Sequence, residues 1–564
     1  LDAIERGFLA EVDAAGLRQL DDNALMRRLE GRTDWRATVD VDRRASTLRI
    51  ESDLVGLSSA LPPPFAKAAA EAWPLRIVSR PLSPPDAAAR PPGDRIDVRL
   101  RGDLGVSLER DRDPATERLF VRRAGIGLGV EPVVRDNGLA VLVRTRALDV
   151  DAWRAVIGDG ELERLQRDAR AGAPGGLSWV PDLVSVVADD LVVAGRDLHE
   201  VVVGASRADG RWRATIASRE VEGHFEWRDA KPGERIGTLV ARFARLVLPR
   251  SRESEVESAL SASPASLPAL DVVADELVLG TLPMGRLELA ARNGGTAEQP
   301  VWTLDRLVLA QPSARLEARG AWSFAGVPRD PRAVPVATPA DRDARTTSLD
   351  FELDVRDAGR LLETMGLKDT VHGGTGSLAG SIRWHGSPIG LDYGSLDGRM
   401  NLSMGRGEFL KVDPGAAKLI GVLNMQSLPK RLSGDFRDLF AEGFAFDSIA
   451  GSVRVDDGVA RTTDLTIRGL QAHVGIRGEA DLHHETQRLA VEVVPQLNAG
   501  LASLAVGAMI NPLVGLGSFA AQYVLQKPLQ QVLAYEVDVT GSWTDPTVSE
   551  RSRRPLQVQP PPRP

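Results

Sequence analysis

The residues of this chain best suited to chemistry are histidines, carboxylates and glycine clusters, and none forms a known catalytic arrangement. His483, His484 and Glu485 could ligate a metal, but they share one predicted strand-to-strand turn and lack a third spaced ligand. The run GIGLG at 125–129 lacks the third glycine and the βαβ setting of a dinucleotide site, which favours a bent strand. The run HGGTGSLAG at 372–380 lacks the Lys-Ser/Thr pair of a phosphate loop, which favours a turn before a strand.

Composition narrows the chemistry further. The chain has no cysteine, which excludes disulfides, thiolate catalysis and cysteine-ligated zinc. Its carboxylates alternate with arginines, a pattern typical of a solvated surface, and its net charge of −8 is spread evenly, unlike the basic patch of a nucleic-acid-binding protein. We therefore predict a non-enzymatic protein with no catalytic residue, no metal site, no cofactor and no nucleic-acid partner.

The elements that position these residues are strands, because apolar and polar residues alternate along most of the chain. In RIDVRLRGDLGVSLER, Ile96 and Val98 lie on one face of the predicted strand while Arg95 and Asp97 lie on the other. Turn signals such as Asp457-Gly458 separate such runs and indicate antiparallel pairs. The sequence thus predicts a mainly β fold.

An internal repeat extends this pattern. Residues 186–207 align without a gap with residues 272–293 at an offset of 86, and Trp212 downstream corresponds to Trp302. EVEGHFEW (220–227) likewise corresponds to RLEARGAW (315–322). Because each unit of an array buries its apolar face only against its neighbours, the repeat predicts an elongated, continuous β structure, and the turn signals indicate that its strands pair mainly antiparallel.

At 564 residues the chain exceeds what one compact core normally supports. Proline-rich and low-complexity breaks divide it into an N-terminal β segment with helices, two β repeats, a C-terminal β region and a disordered proline-rich tail. The predicted boundaries are 1–175, 176–265, 266–345, 346–552 and 553–564. Because the chain opens at Leu1 without a methionine, we expect it to be the C-terminal portion of a longer protein.

Amphipathic or apolar stretches predict a few helices, which are too few to cover the whole apolar face of such a sheet. They lie at 1–30, 152–170, 357–366, 414–440 and 500–533. Either the sheet curls on itself, or its apolar face is lined for a ligand.

The stretch 493–526 carries no charged residue, yet prolines, asparagines and glycines divide it into two short apolar helices. It is expected either to pack over the end of the sheet or to lean into a membrane interface. Its candidate interface residues are Leu504, Val506, Met509, Ile510, Leu513, Leu516 and Phe519.

Two segments resemble a known family. The run from GRGEFLKVDPGAAKL to TTDLTIRG (405–469) resembles the C-terminal signature of the AsmA-like envelope proteins of the YhdP type, and IESDLVGLSSALPPPFAKAAAEAWPLRI (50–77) resembles an earlier part of the same pattern. The resemblance implies a curled β-sheet groove in the periplasm of Gram-negative bacteria. It also implies bridge-like transport of phospholipids between the inner and outer membranes, with the full-length protein anchored in the inner membrane by an N-terminal helix that this chain lacks.

Residues and resemblance agree on the need for an unbroken apolar surface. Acyl chains gain about 0.8 kcal/mol per CH₂ on leaving water, whereas a lone charge on their path is a barrier. We predict that the groove is lined by Val98, Leu100, Val141, Leu191, Val193, Val201, Val203, Leu277, Leu279, Leu287, Leu289, Leu402, Val474, Ile476 and Val491. A charge at Leu279 or Val474 is expected to stop transport without unfolding the protein.

The same alternation would also arise in an ordinary core. The alternative function is therefore a structural β array of the envelope, whose apolar face is filled by its own helices and which docks partner proteins without carrying lipid. The predicted partners under the first reading are phospholipids, both membranes and possible envelope proteins, with the C-terminal helices directed toward one membrane.

Overall fold

A computed structural model shows a mainly β protein, as the alternation predicts, with thirty strands among the residues that it describes. It describes residues 4–20, 23–41, 46–82, 93–112, 119–158, 177–193, 195–230, 236–248, 267–296, 299–324, 345–388, 390–410, 444–470, 472–495 and 535–550. The chain divides into an N-terminal unit (1–233 and 237–255) and a C-terminal unit (234–236 and 256–564). The finer division predicted from the sequence stays a prediction.

The N-terminal unit contains the first half of the strands. They are β1 Ile4–Asp13, β2 Leu29–Val41, β3 Ser46–Ser52, β4 Leu57–Ala60, β5 Ala66–Lys67, β6 Leu75–Pro81, β7 Asp94–Leu100, β8 Leu104–Arg112, β9 Leu119–Leu128, β10 Gly138–Asp149, β11 Leu183–Val193, β12 Arg196–Ala208, β13 Arg211–Ala217, β14 Val221–Arg228 and β15 Thr238–Leu248. Helix α1 spans Ala14–Leu20, a 3-10 turn spans Met26–Arg28, and a second helix, α2, spans 150–158.

Most neighbours in this unit pair antiparallel, in the order β1–β2–β3–β6–β7–β8–β9 and then β11–β12–β13–β14–β15. Strand β10 joins the two runs and is parallel to both β9 and β11. The short strands β4 and β5 attach to the beginning of β2. The sheet is therefore mixed, with parallel steps only at β10 among the described pairings.

The parallel step explains the glycine alternation at 125–129. To bring β10 parallel to β9, residues 129–137 cross the outer face of the sheet. A Cβ on Gly125 would lie 2.4 Å from the Val133 carbonyl oxygen, and one on Gly127 would lie 2.2 Å from that of Val130. The segment is a strand, as predicted, but its glycines permit close backbone approach, for which only a missing side chain leaves room.

The C-terminal unit contains the second half of the strands. They are β16 Ala269–Leu279, β17 Leu282–Gly295, β18 Pro300–Gln311, β19 Ala314–Phe324, β20 Arg345–Val355, β21 Val371–Gly373, β22 Gly376–His385, β23 Asp397–Met404, β24 Gly407–Phe409, β25 Phe444–Asp456, β26 Val459–Gly469, β27 Ala472–Asp481, β28 Thr486–Pro495, β29 Tyr535–Ser542 and β30 Pro546–Glu550. Helix α3 spans Ala358–Thr364, and a 3-10 turn spans Tyr393–Ser395.

All described pairings in this unit are antiparallel. The main order is β16–β17–β18–β19–β20–β22–β23–β25–β26–β27–β28–β29–β30. The short strand β24 extends the pairing of β23 along β25 and carries β21 on its other side. The glycine run at 372–380 forms the turn between β21 and β22, with Gly373 and Gly374 at positive φ, as predicted.

Of the five predicted helical stretches, the structure confirms one, confirms part of another, corrects part of a third and does not describe the remaining two. Helix α3 confirms the stretch at 357–366, and its first turn is capped by Asp357, which accepts a hydrogen bond from the Arg360 amide at 3.1 Å. Helix α2 confirms the beginning of 152–170. The helical interpretation of 1–30 is wrong over Ile4–Asp13, because this segment pairs along its whole length with β2, a partner distant in sequence. The stretches 414–440 and 500–533 lie outside the described residues.

Candidate functional site

The most extensive feature of the N-terminal unit is a ladder of apolar side chains, one from each successive strand. Directly paired residues of neighbouring strands place their side chains on the same face. The pairing connects Phe8, Ala37, Ile50, Ile77, Val98, Val106, Ile126, Val141, Val184, Ala205, Ala214, Phe225 and Ala241. None of these residues is charged or polar. We call this face of each unit the inner face.

The C-terminal unit has an equivalent ladder. The first part connects Ala274, Leu287, Leu309, Leu316, Leu353, Leu378, Leu402 and Gly451. On β23 and β25 the neighbouring inner positions Met404 and Ile449 continue it into Ile467, Val474 and Val493. No member of this path is charged. An acyl chain placed anywhere along it would meet only hydrocarbon and backbone.

Exposure of the inner face changes along the path. Leu309, Leu316, Leu353, Leu378 and Leu402 are half-buried. In contrast, Val474 is 0% exposed, in a closed cluster with Phe444, Phe446 and Ile467. The N-terminal ladder from Ile50 to Val184 is half-buried throughout. The inner face therefore alternates between partly open and closed stretches, and the cluster at β25–β29 is one of the closed ones.

The predicted lining residues all fall on strands described by the structure. Leu191, Val201, Leu277, Leu287, Val474, Ile476 and Val491 are buried; Val98, Leu100, Val141, Val193, Val203, Leu289 and Leu402 are half-buried; and Leu279 is exposed. Leu191 and Val201 pack in one cluster with Val193 and Val203, while Val474, Ile476 and Val491 share the closed cluster with Leu402 at its border. Whether any of them contacts lipid stays a prediction.

The repeat seen in the sequence encodes the same irregularity in side-chain alternation in both copies. In β11 the residues Ala188 and Leu191 are both buried, and the two acidic residues between them are exposed. In β16 the residues Ala274 and Leu277 are buried in the same way. The pairing of β16 with β17 shifts at this point, whereas the pairing of β11 with β12 keeps one register. After the two consecutive exposed residues, each strand resumes with its apolar residues on the inner face. The shared ADDL/ADEL sequence thus preserves the inner face through an irregularity.

The repeated tryptophans are cross-strand partners. Trp212 pairs with Trp227, and Trp302 pairs with Trp322 at the corresponding strand ends of the second repeat. Trp302 and Trp322 form a buried cluster with Ala291. The sequence alignment matched these tryptophans one to one, but only the register shows that they lie against each other.

The outer face is a mixed-charge surface, as the alternation predicts. Arg95 Nε donates to Asp97 at 2.9 Å, and Arg123 Nε donates to Glu109 at 2.6 Å. In the C-terminal unit, ion pairs such as Arg454–Asp456 are exposed. Exposed pairs of the Arg454–Asp456 kind contribute little free energy to folding.

Segment 50–77 contains a buried lysine that the sequence analysis did not single out. Lys67 is 6% exposed, and its Nζ donates to the carbonyl oxygens of Leu54, Leu57 and Ala68 at 2.8, 2.7 and 3.1 Å. Burial lowers the pKa of the Lys67 amine. A single lysine among alanines and prolines gives no sequence signal for this role, in which Lys67 of β5 ties together the carbonyl groups of the segment that follows β3.

The structure describes the histidines considered as metal ligands but not the residues considered for a membrane interface. His483 and His484 lie at the turn between β27 and β28, as predicted, and His484 Nδ1 is 2.9 Å from an Asp481 carboxylate oxygen. Within the described ranges, no group of three or more His, Cys, Asp or Glu side chains is placed to hold a metal ion. The interface candidates between Leu504 and Phe519 lie outside the described residues, and no helix among those described is long and apolar enough to cross a membrane.

Comparison with known proteins identifies relatives. A family model described as YhdP protein matches residues 3–548. A curated relative from Escherichia coli (strain K12), described as "Intermembrane phospholipid transporter YhdP", is 30% identical over 210 residues; the match covers 37% of this chain and 16% of the relative. The chain thus matches a small part of that relative's length. No solved structure matches the chain.

Proposed function

The chain belongs to the YhdP family, and from this premise we propose that its inner face binds the acyl chains of phospholipids and conducts them between the inner and outer bacterial membranes. The observation that supports this proposal is the pair of ladders of uncharged side chains, each of which runs from strand to strand within its unit. The E. coli relative, described as an intermembrane phospholipid transporter, supports the same substrate. The function is transport, not catalysis.

The physical argument concerns the energy profile along the ladder. A sixteen-carbon chain gains on the order of 10 kcal/mol by leaving water, spread over many weak contacts. Moving from Leu353 to Leu378 replaces one set of such contacts by another, so neighbouring positions have similar free energies. A lipid can therefore slide, whereas a single deep pocket would retain it.

The half-buried stretches are the proposed path. Leu309, Leu316, Leu353 and Leu378 retain accessible surface that an acyl chain can cover. Val474 is fully buried and has no accessible surface that an acyl chain could cover. We therefore assign the closed stretch at β25–β29 to packing of the fold and not to the lipid path. We place the chain in the periplasm, with its predicted C-terminal helices directed toward one membrane and envelope proteins as possible partners.

A matched pair of variants on β22 tests this function. Leu378 lies on the inner face and Ala379 on the outer face, where it pairs with Glu352; both are half-buried. Leu378→Arg places a charge on the path, whereas Ala379→Arg places it beside a carboxylate. Transfer of fluorescent phospholipid between donor and acceptor vesicles should fall at least tenfold for Leu378→Arg and remain unchanged for Ala379→Arg.

Lipid content of the purified chain provides the second measurement. Native mass spectrometry should show copurified phospholipid on the wild-type chain and on Ala379→Arg, with less on Leu378→Arg. A lipid-free wild-type chain, or equal transfer by both variants, would favour the structural array and overturn the transport proposal.

A further inference from the structure

The two repeats differ at one edge of the inner face. In the first repeat, Arg207, Trp212 and Trp227 are successive cross-strand partners near the ends of β12, β13 and β14, on the same face as Ala205. Asp229 follows two residues after Trp227 and accepts a hydrogen bond from Trp227 Nε1 at 3.2 Å. We call Arg207, Trp212, Trp227 and Asp229 the charged rim.

The corresponding edge of the second repeat is neutral and closed. At the offset of 86, Asn293 takes the place of Arg207; it pairs with Trp302, which in turn pairs with Trp322. Trp302 and Trp322 are 7% and 0% exposed, and Leu267 packs against them. The Asn293 side-chain amide donates to the Leu267 carbonyl oxygen. The second repeat thus satisfies this polar group from within the chain.

The charged rim, in contrast, is accessible from solvent. Trp212 and Trp227 are half-buried. The side chains of Arg207 and Asp229 are 24% and 44% exposed. A ligand can therefore reach both charges without any rearrangement of the sheet.

The two charges of the rim are only loosely paired. Arg207 Nη2 lies 3.8 Å from an Asp229 carboxylate oxygen, beyond hydrogen-bond distance, whereas Arg123 Nη2 lies 2.5 Å from Glu109. Arg207 Nε is buried and has no hydrogen-bond partner. The stem of Arg207 is thus held in the inner face, while its terminal nitrogens keep donor capacity for a ligand.

The ladder of apolar side chains runs directly beside the charged rim. Ala205 and Phe225 of the ladder lie two residues from Arg207 and Trp227, or roughly 7 Å at about 3.4 Å per residue. Both are half-buried, as is Val203, the next residue on this face of β12. A lipid headgroup at the rim would therefore place the first carbons of its acyl chains on accessible hydrocarbon.

Opposite charges this close together suit a ligand that carries both signs. Arginine is a typical partner of phosphate, and a carboxylate is a typical partner of an ammonium group. Tryptophan ring faces also attract cations. In a phosphoethanolamine headgroup a short two-carbon link joins the phosphate to the ammonium group, so the headgroup can lie antiparallel to the Arg207–Asp229 pair. A phosphoglycerol headgroup has no cation to offer Asp229.

We propose that the charged rim binds the zwitterionic phosphoethanolamine headgroup of a diacyl phospholipid, with the phosphate on Arg207 and the ammonium group on Asp229. The acyl chains then lie on the ladder beside the rim. The second repeat has Asn293 and Phe324 at these two positions of the sequence and lacks both charges. The assignment rests on the proposed transport function and adds a headgroup preference to it.

The experiment compares two lipids that differ only in the headgroup. Purified full chain is incubated with vesicles that contain equal amounts of phosphatidylethanolamine and phosphatidylglycerol with identical acyl chains. The vesicles are removed by flotation, and the lipid retained by the chain is quantified by mass spectrometry. The wild-type chain should retain about two- to fivefold more phosphatidylethanolamine, the range expected for one partly exposed charge contact.

Three variants separate the two charges of the rim from the rest of the surface. Asp229→Asn should bring the ratio of the two lipids to about one, because the ammonium group loses its carboxylate. Arg207→Gln should reduce retention of both lipids, because both carry a phosphate. Glu226→Gln removes a carboxylate from the outer face of β14, where it pairs with Arg213, and should change neither quantity.

The outcomes distinguish this assignment from the transport function. Equal retention of both lipids by the wild-type chain, or a preference that survives Asp229→Asn, would overturn the headgroup assignment alone. Retention of neither lipid would overturn the transport proposal as well. Glycerophosphoethanolamine, which has the headgroup without acyl chains, should not displace the retained lipid at equal concentration. Displacement would indicate a site for a soluble ligand and would overturn the assignment to a lipid.

Discussion

Strand β8 and strands β26–β28 are built from the same alternation yet bury opposite faces. Residues 129–137 cover the outer face at β8 and β9, and Ser107 and Glu109 of β8 are 2% and 5% exposed there, whereas the inner residues of β8, such as Val106, are half-buried. In β26–β28 the inner residues Ile467 and Val474 are closed off. A sheet can thus leave part of its apolar face open where the other face supplies the packing.

This difference separates the strands whose apolar side chains stabilise the fold from those whose apolar side chains keep accessible surface. At β26–β28 the apolar contacts stabilise the fold directly, because each buried side chain touches several others. At β8 the crossing segment and the ion pairs beneath it pack the outer face, and inner residues such as Val106 keep accessible surface. The same residue type therefore has a different role in each region.

The largest expected effect comes from a charge at the closed region. Val474→Asp should destabilise the C-terminal unit by about 4 kcal/mol or more, because the carboxylate would be buried without a partner. Since Val474 is fully buried, we revise the expectation from sequence that this variant still folds. Val106→Asp, on the half-buried inner face, should cost about 1–2 kcal/mol. Urea denaturation with hydrogen exchange to locate the loss measures both; equal losses would contradict the distinction.

A smaller effect is expected from the crossing segment. Gly127→Ala should cost about 2–3 kcal/mol, because its Cβ would lie 2.2 Å from the Val130 carbonyl oxygen. Gly475→Ala on β27 has no atom within 4 Å of the added carbon and should be neutral or stabilising by up to about 1 kcal/mol. Thermal melting of both variants measures the contrast. A neutral Gly127→Ala would show that the crossing segment does not hold β8–β9.

The smallest effect concerns a charged pair at the border of the half-buried face. Arg110 donates to Asp94 at 2.8 Å, and this hydrogen bond lowers the pKa of Asp94. Since the folded pKa lies below the unfolded value near 4, the pair stabilises above about pH 4 and its contribution is lost as pH falls through the folded pKa. Asp94→Asn should cost at most about 1 kcal/mol at pH 7, with the difference from wild type shrinking below pH 4 in a pH series of urea midpoints.

The strands and the faces of their side chains could be predicted from the sequence, because side-chain direction in a strand alternates with a fixed period of two. Val98 and Val141 could be placed on one face from local sequence alone. The pairing of Ile4–Asp13 with β2 could not, since it depends on a distant partner. The degree of burial at Val474 and the loose pairing of Arg207 with Asp229 likewise arise from neighbours that periodicity does not specify.

The two consecutive outward residues shared by β11 and β16 have a consequence for how such a molecule can change size. Because each copy ends with its apolar residues back on the inner face, duplicating or deleting a whole module leaves the apolar side of the remaining strands in step. Under the proposed transport function, the number of modules can then set the length of the path without altering its chemistry.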